Sequence, residues 1–335
     1  MATGWRWAAV GMVAAFLAGT AVAKAQDAPL VFGLPGIPPV FTGVQEYVAR
    51  DAGFFKKYGL TVTLRQFDTG VAAARAAAAG DIDFTLSPTG PIIDMVSNTN
   101  VPLVALMGQE NADFLVASDD PAVKTCKDLA GHAVGVDTPG GARSTALRQM
   151  TAKCGFPFSS LQQVPLGAQT PAALIAGQIH IAVLHLDDLA RVEAQLKHKI
   201  AVIVTLKEAV PLDHYNFYAA RADKIKAHRD RYVRLVAALI DATNFLYDPK
   251  NTDRVAEIAA VTGHSKAEAK AALEKYLTMG FWAKGDDGLD RAHVEAAVHI
   301  QEQVGGIRPG KTPAPYDQLV DRSVWRDALA LTRKR

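Results

Sequence analysis

From residue 30 to about residue 205, short apolar runs alternate with helical patterns, and this alternation is the strongest constraint on what the chain can fold into. "LVFGL" (30–34) reads as a strand and "GVQEYVARDAGFFKKYG" (43–59) as a helix with a glycine stop. "LTVTLRQF" (60–67) alternates apolar and polar residues and reads as a strand, and "GVAAARAAAAG" (70–80) as an Ala-rich helix. The strand "DIDFTLS", the helix "TGPIIDMVSNT" and the strand "PLVALMG" follow. Strands that alternate with helices predict parallel sheets joined by right-handed crossovers, an α/β fold.

A weak internal echo runs through this pattern. "AAARAAAAGDIDFTLSP" (72–88) and "TPAALIAGQIHIAVLHL" (170–186) share one plan: an apolar helix, a glycine stop, Gly-x-Ile-x and an apolar strand with a polar end. Gly80 and Gly177 are 97 positions apart. One copy is expected in each of two similar α/β lobes. After "HYNFYAARAD" the pattern turns helical almost to the end. Tyr232, Leu235, Val236, Leu239, Ile240, Thr243, Leu246 and Tyr247 fall at helical spacing. Such a tail is expected to pack on one lobe.

The N-terminus reads as a secretory signal. "MATGWR" carries one basic side chain, "WAAVGMVAAFLAG" is an apolar run of signal-core length, and Ala23 and Ala25 supply small residues ahead of a cleavage site before Gln26, with cleavage before Lys24 as the second choice. The alternative is an N-terminal membrane anchor. Cleavage of 25 of the 335 residues leaves 310, a length that suits two domains. It also removes Arg6 and Lys24, so 34 basic residues face 34 acidic ones. A near-neutral chain without a basic block argues against nucleic-acid partners. The two cysteines, Cys126 and Cys154, suggest one disulfide in an exported protein, the alternative being two buried thiols.

Catalytic signatures are missing: there is no Gly-x-Ser-x-Gly, no Gly-x-x-x-x-Gly-Lys and no His-Glu-x-x-His. The nine histidines are scattered, so neither a metal nor any other cofactor is expected. Ser144, His185 and Asp187 form a triad only on paper, and Asp187–Asp188 read better as a helix cap. What recurs is a kind of strand–helix junction rich in Gly, Pro, Ser and Thr: residues 35–41, 68–70, 87–90, 108–111, 137–144, 167–170 and 185–187. Open α/β sheets bind ligands on the carboxyl edge of their strands, where these junctions fall. Helix N-termini there present unpaired N–H groups and partial positive charge to a small anion. In "VDTPGGARST" (136–145), Thr138 fits an N-cap and Pro139 the first turn, with Gly155 and Pro157 as the far stop.

"DAGFFKKYGLTVTL" (51–64) followed by "AAAAGDIDFTL" (76–86) resembles a signature of the solute-binding proteins of ABC importers in the SsuA-like group, which take up sulfonates, nitrate, taurine, thiamine pyrimidine precursors and related molecules. "PAVKTCKDLAGHAVGV", "GGARSTALRQMTAKCGF" and "PAALIAGQIHIAVL" match later segments, so the likeness covers about residues 30–240. It implies a two-lobe, type II periplasmic-binding (Venus-flytrap) fold with a doubly wound, mostly parallel sheet in each lobe and a helical C-terminal tail. Lobe one would be 26–115 plus 218–335 and lobe two 116–217, with crossings at "ADFLVAS" and "YNFYAAR". Both cysteines would lie on the end of lobe two far from the cleft, where a bridge is structural.

The resemblance also implies a periplasmic, monomeric protein that captures a small ligand between its lobes and delivers it to a membrane permease. The residues expected to line the cleft are Phe41, Thr69, Ser87, Thr89, Gln109, Gly140, Gly141, Arg143, Ser144 and His185, with Phe41 and Tyr215 as walls for an apolar part. Backbone N–H groups of 140–144 would hold an oxyanion. Two positions depart from the family pattern. His180 stands where an acid is usual, and Arg143 where a small polar residue is commoner. A guanidinium in a first helical turn is unfavourable unless an anion or carboxylate offsets it, which points to an anionic sulfonate or carboxylate ligand, the alternative being that Arg143 faces solvent or pairs with a carboxylate of the chain. The other readings are an enzyme on the same fold, of the cytosolic pyrimidine-synthesising kind with its Cys-rich cluster, and a sensing module for a membrane receptor.

Overall fold

The computed structural model describes residues 1–2, 28–137 and 142–334. Residues 3–27, which hold most of the expected signal segment, and residues Thr138, Pro139, Gly140 and Gly141 lie outside the described residues. Among the described residues no helix is long and apolar enough to cross a membrane.

Two five-stranded sheets organise the chain. The first has the order β2-β1-β3-β10-β4, built from β1 (Leu30–Pro35), β2 (Val62–Phe67), β3 (Phe84–Pro88), β4 (Leu103–Gln109) and β10 (Asn216–Arg221). The second has the order β7-β6-β8-β5-β9, built from β5 (Leu115–Ser118), β6 (Ala133–Val136), β7 (Gln162–Pro165), β8 (Ile181–Leu184) and β9 (Ala201–Thr205). The two share one plan, and β3 and β8, the strands of the sequence echo, hold the same third place. Ahead of β3, the helix Gly70–Ala79 is capped by the Thr69 hydroxyl and ends on left-handed Gly80; ahead of β8, left-handed Gly177 follows a shorter helix, Thr170–Ile175.

Each sheet is mostly parallel, as expected, with one antiparallel strand. β10 runs antiparallel to β3 and β4, and β5 runs antiparallel to β8 and β9. The cause is the crossing. β4 carries the chain to the edge between the lobes, so β5 starts there and runs away from it, and β10 returns in the same sense. The helix expected over 43–59 is also split. It runs Val44–Asp51, breaks at Gly53 with φ 83°, and resumes at Phe54–Lys57. The helix after residue 141 ends at Thr151, before the expected stop at Gly155, and its first residues are held by Asp137 as described below.

The helical tail joins the first lobe. Leu235, Leu239, Leu273, Tyr276 and Trp282 share one core with Phe32 and Phe84 of the first sheet. The helix Lys266–Met279 also packs on Leu186–Leu196 of the second lobe and so bridges the two. Cys126, ahead of β6, and Cys154, after the helix Ala142–Thr151, are joined with their Cα atoms 5.4 Å apart. β6 carries the chain toward the interlobe edge and that helix carries it back, so the pair sits on the far end of the lobe.

Candidate functional site

The carboxyl edges of both sheets meet where the chain crosses between them. Gln109 ends β4, Asp113 and Phe114 lie on the crossing segment, His185 follows β8, and Tyr276 comes from the tail. Asp113, Phe114, His185 and Tyr276 form a nearly closed cluster of charged and aromatic side chains.

Its centre is Asp113, whose side chain is fully buried and accepts from His185 Nδ1 at 3.1 Å and from the Tyr276 hydroxyl at 2.5 Å. Burial alone would raise the Asp113 pKa, but the adjoining imidazolium and the Tyr276 hydrogen bond outweigh it and the pKa is lowered. His185 mirrors this. Burial opposes its charge, the Asp113 carboxylate outweighs burial, and its pKa is raised. Asp187 lies 3.0 Å from the same Tyr276 oxygen, and burial followed by the neighbouring Asp188 carboxylate pushes its pKa to about 7. A tyrosine has one proton to give. With that O–H donated to the Asp113 carboxylate, a protonated Asp187 is the group that can donate back to the Tyr276 oxygen. His264 Nε2 stands 3.4 Å from the other Asp187 oxygen.

Arg143 enters from the first turn of the helix Ala142–Thr151. One terminal nitrogen donates to Asp188 at 2.6 Å, while its Nε is buried without a hydrogen-bond partner among the described residues. Asp188 also accepts from the His185 N–H at 3.2 Å in a capping box, so the sequence expectation of a cap holds, and the same carboxylate belongs to the site. Arg143 and His185 balance Asp113 and Asp188, with Asp187 uncharged below about pH 7.

Aromatic rings line the route from the first lobe to the crossing. Phe41 stacks on Tyr276 with centroids 5.1 Å apart, Tyr276 meets Phe281 at 5.0 Å, Phe281 meets Tyr215 at 6.1 Å, and Phe114 lies 4.3 Å from the His185 ring. Phe41, Tyr215, Arg143 and His185 are thus brought together.

Other expected residues have different work. The Ser87 hydroxyl is buried and donates to the Gly70 carbonyl at 2.7 Å, tying β3 to a helix start. Thr69 caps that helix. Thr89 donates to His214 Nδ1 at 2.8 Å, because His214 Nε2 gives its proton to the Gly288 carbonyl; burial pushes the His214 pKa down to about 4 and keeps the ring neutral. Gln109 is buried and bonds Tyr218 and Asn216 across strands. Ser144 donates to Gln163 at 2.5 Å, so the paper triad with His185 and Asp187 does not form. Of the oxyanion seat expected over 140–144, Gly140 and Gly141 lie outside the described residues, and two of the other N–H groups are already bonded. The N–H groups of Arg143 and Ser144 donate to the Asp137 carboxylate at 3.2 and 3.3 Å. A helix N-terminus attracts an anion, and the chain supplies its own. His180, the departure from the family pattern, has an exposed side chain and pairs with Asp119 at the start of β8, away from the cluster.

Reading junctions rich in Gly, Pro, Ser and Thr missed Asp113, Tyr276 and His264. Asp113 lies inside a crossing read only as a strand, and Tyr276 and His264 lie in the tail. The one local hint was the acidic pair Asp187–Asp188, two residues past His185.

Comparison with known proteins agrees with this architecture. A search of curated protein sequences returns no match. Among solved structures, a Bordetella bronchiseptica RB50 protein is 21% identical with a TM-score of 0.68, covering 92% of this chain and 99% of its own. The periplasmic aliphatic sulphonate binding protein SsuA from Escherichia coli is 16% identical with a TM-score of 0.66, covering 87% and 91%. The periplasmic nitrate-binding protein NrtA from Synechocystis PCC 6803 is 13% identical with a TM-score of 0.68, covering 92% and 89%. The family model described as NMT1/THI5 like matches residues 39–252, well over half of the sequence, and on that match the chain belongs to the NMT1/THI5-like family.

Proposed function

We propose that the protein is the solute-binding component of an ABC importer. It is exported to the periplasm after loss of residues 1–25, captures a small organic ligand between its lobes as a monomer, and presents the closed form to a membrane permease. It binds without transforming its ligand. The lobes are 26–115 plus 218–335 and 116–217, as the resemblance implies. The observation that carries this reading is the buried interlobe cluster, in which Arg143 Nε is a donor without an acceptor among the described residues. Asp113 holds His185 through Nδ1, which leaves Nε2–H as the ring's other donor. These two donors suit the oxygens of a sulfonate or carboxylate, and the Phe41 and Tyr215 rings suit an apolar remainder. Ligand contacts that exist only when both lobes meet favour the closed state.

Thermal-shift screening of the mature protein against short sulfonates, carboxylates, nitrate, amino acids and aminopyrimidines tests the ligand class. A ligand at 100 times its Kd adds about 2.7 kcal/mol to the folded state. A sulfonate or carboxylate is expected to raise the melting temperature, and Arg143→Gln to abolish the rise. Stabilisation by neutral heterocycles alone would overturn the anionic assignment.

A further inference from the structure

Beside the charged cluster a groove of about 750 Å³ runs between the helices Leu186–Leu196 and Lys266–Met279. Its volume lies within the range of small-molecule sites. Phe114, Leu186, Leu189, Val202 and Met279 give it an apolar lining, and Val202, on an edge strand, is 45% exposed. The border is basic. Lys197, Lys199, Lys207 and Lys275 face Glu193 and Glu274 among the lining residues, and the third lining carboxylate, Asp113, is already paired with His185. Glu193 is shared by Lys199 and Lys275 at 2.9 Å each, Lys207 donates to the Met279 carbonyl, and Lys197 has no ion pair among the described residues. The two walls come from different lobes.

We infer that this groove is a second ligand site for an amphipathic organic anion, the apolar chain lying along Phe114, Leu189 and Val202 and the anionic head reaching Lys197 and Lys199. The charge surplus selects the head, and the exposed apolar strip selects the body. An occupant touching both walls holds the lobes in the arrangement seen here, so it raises affinity at the central cluster. That coupling rests on the interlobe-capture reading; occupancy of the groove does not.

Calorimetric titration with sodium 1-decanesulfonate, below its micellar concentration, tests the site against ethanesulfonate (head only) and 1-decanol (chain only). The protein, with its central cluster saturated by the most stabilising small anion, is expected to bind decanesulfonate saturably and more tightly than either fragment. Ala194→Trp, at an exposed lining position, should weaken decanesulfonate binding about tenfold or more while leaving the thermal shift from the small anion at the central cluster unchanged. Lys197→Asn with Lys199→Gln should weaken the sulfonate and not the alcohol; asparagine tolerates the positive φ of 61° at residue 197. Arg143→Gln should leave decanesulfonate binding intact. Absence of saturable binding overturns the site, as does equal binding by Ala194→Trp. Loss on Arg143→Gln instead would place the chain in the central cluster.

Discussion

The Glu46→Gln variant is expected to outlast the parent protein in alkali and to match it in acid. Glu46 sits in the first turn of the helix Val44–Asp51, fully buried, and neither carboxyl oxygen has a hydrogen-bond partner among the described residues. The nearby Tyr218 hydroxyl donates to Gln45 at 2.7 Å instead. Burial raises the Glu46 pKa from 4.5 to about 8, so the folded protein holds the acid protonated at neutral pH. The unfolded chain ionises near the ordinary value. Stability from this group is therefore complete below about pH 4.5 and falls as pH rises through about 8, by on the order of 3–5 kcal/mol in all. Asp187, raised to about 7, adds a smaller loss of the same sign. Glutamine cannot ionise. Urea unfolding of parent and variant from pH 5 to pH 8.5 should show curves that diverge with pH, the variant gaining about 3 kcal/mol or more at the upper end. Any fixed cost of the added amide shifts the whole curve and leaves the divergence intact. Parallel curves would mean that Glu46 is ionised in the folded state.

Arg143→Ala should be costly in a different way. The Arg143 guanidinium and the Asp188 carboxylate are both largely buried, with side-chain exposures of 14% and 13%. Removing the cation leaves Asp188 beside Asp187, close to Asp113, with only His185 to balance them. Breaking a buried pair typically costs 3–5 kcal/mol, and a loss of about 3 kcal/mol at pH 8 is expected here. Adding Asp188→Asn should recover much of it, because the excess charge is then gone. Binding of an anionic ligand should fall about 10- to 100-fold in both variants, since neither restores the Nε donor. Equal stability of the single and double variants would show that the pair is not the source of the loss. Undiminished binding would place Arg143 outside the site.

Local chemistry was legible in the sequence, and long-range pairing was not. Thr69 and Gly80 bracket their helix as capping rules require, and "GDIDFTLS" and "GQIHIAVL" take matching places in the two sheets. Cysteine count and chain direction together anticipated the Cys126–Cys154 contact. The direction of β5 and β10 was not readable, because it depends on where the chain crosses between lobes and not on any residue within the strand. Gly53 was read as part of a helix because a single glycine inside apolar periodicity leaves the period intact, although its left-handed backbone breaks the helix.

The site was harder for a related reason. Tyr276 and Asp113 are 163 positions apart, and no periodicity links them. A junction rich in Gly, Ser and Thr shows that a helix begins but not what satisfies its N–H groups. At Arg143 and Ser144 the answer is Asp137, and at His185 it is Asp188. Both anions come from the chain itself, so these three N–H groups are already occupied. The ligand is left with the side-chain donors of Arg143 and His185.

The central claim is that a ligand is captured by closing the two lobes on it. Small-angle X-ray scattering of the mature protein, with and without the most stabilising anion of the thermal-shift panel, tests it directly. A smaller radius of gyration at saturation is expected, reversed when the ligand is removed and absent in Arg143→Gln. An unchanged radius at full calorimetric saturation would contradict it.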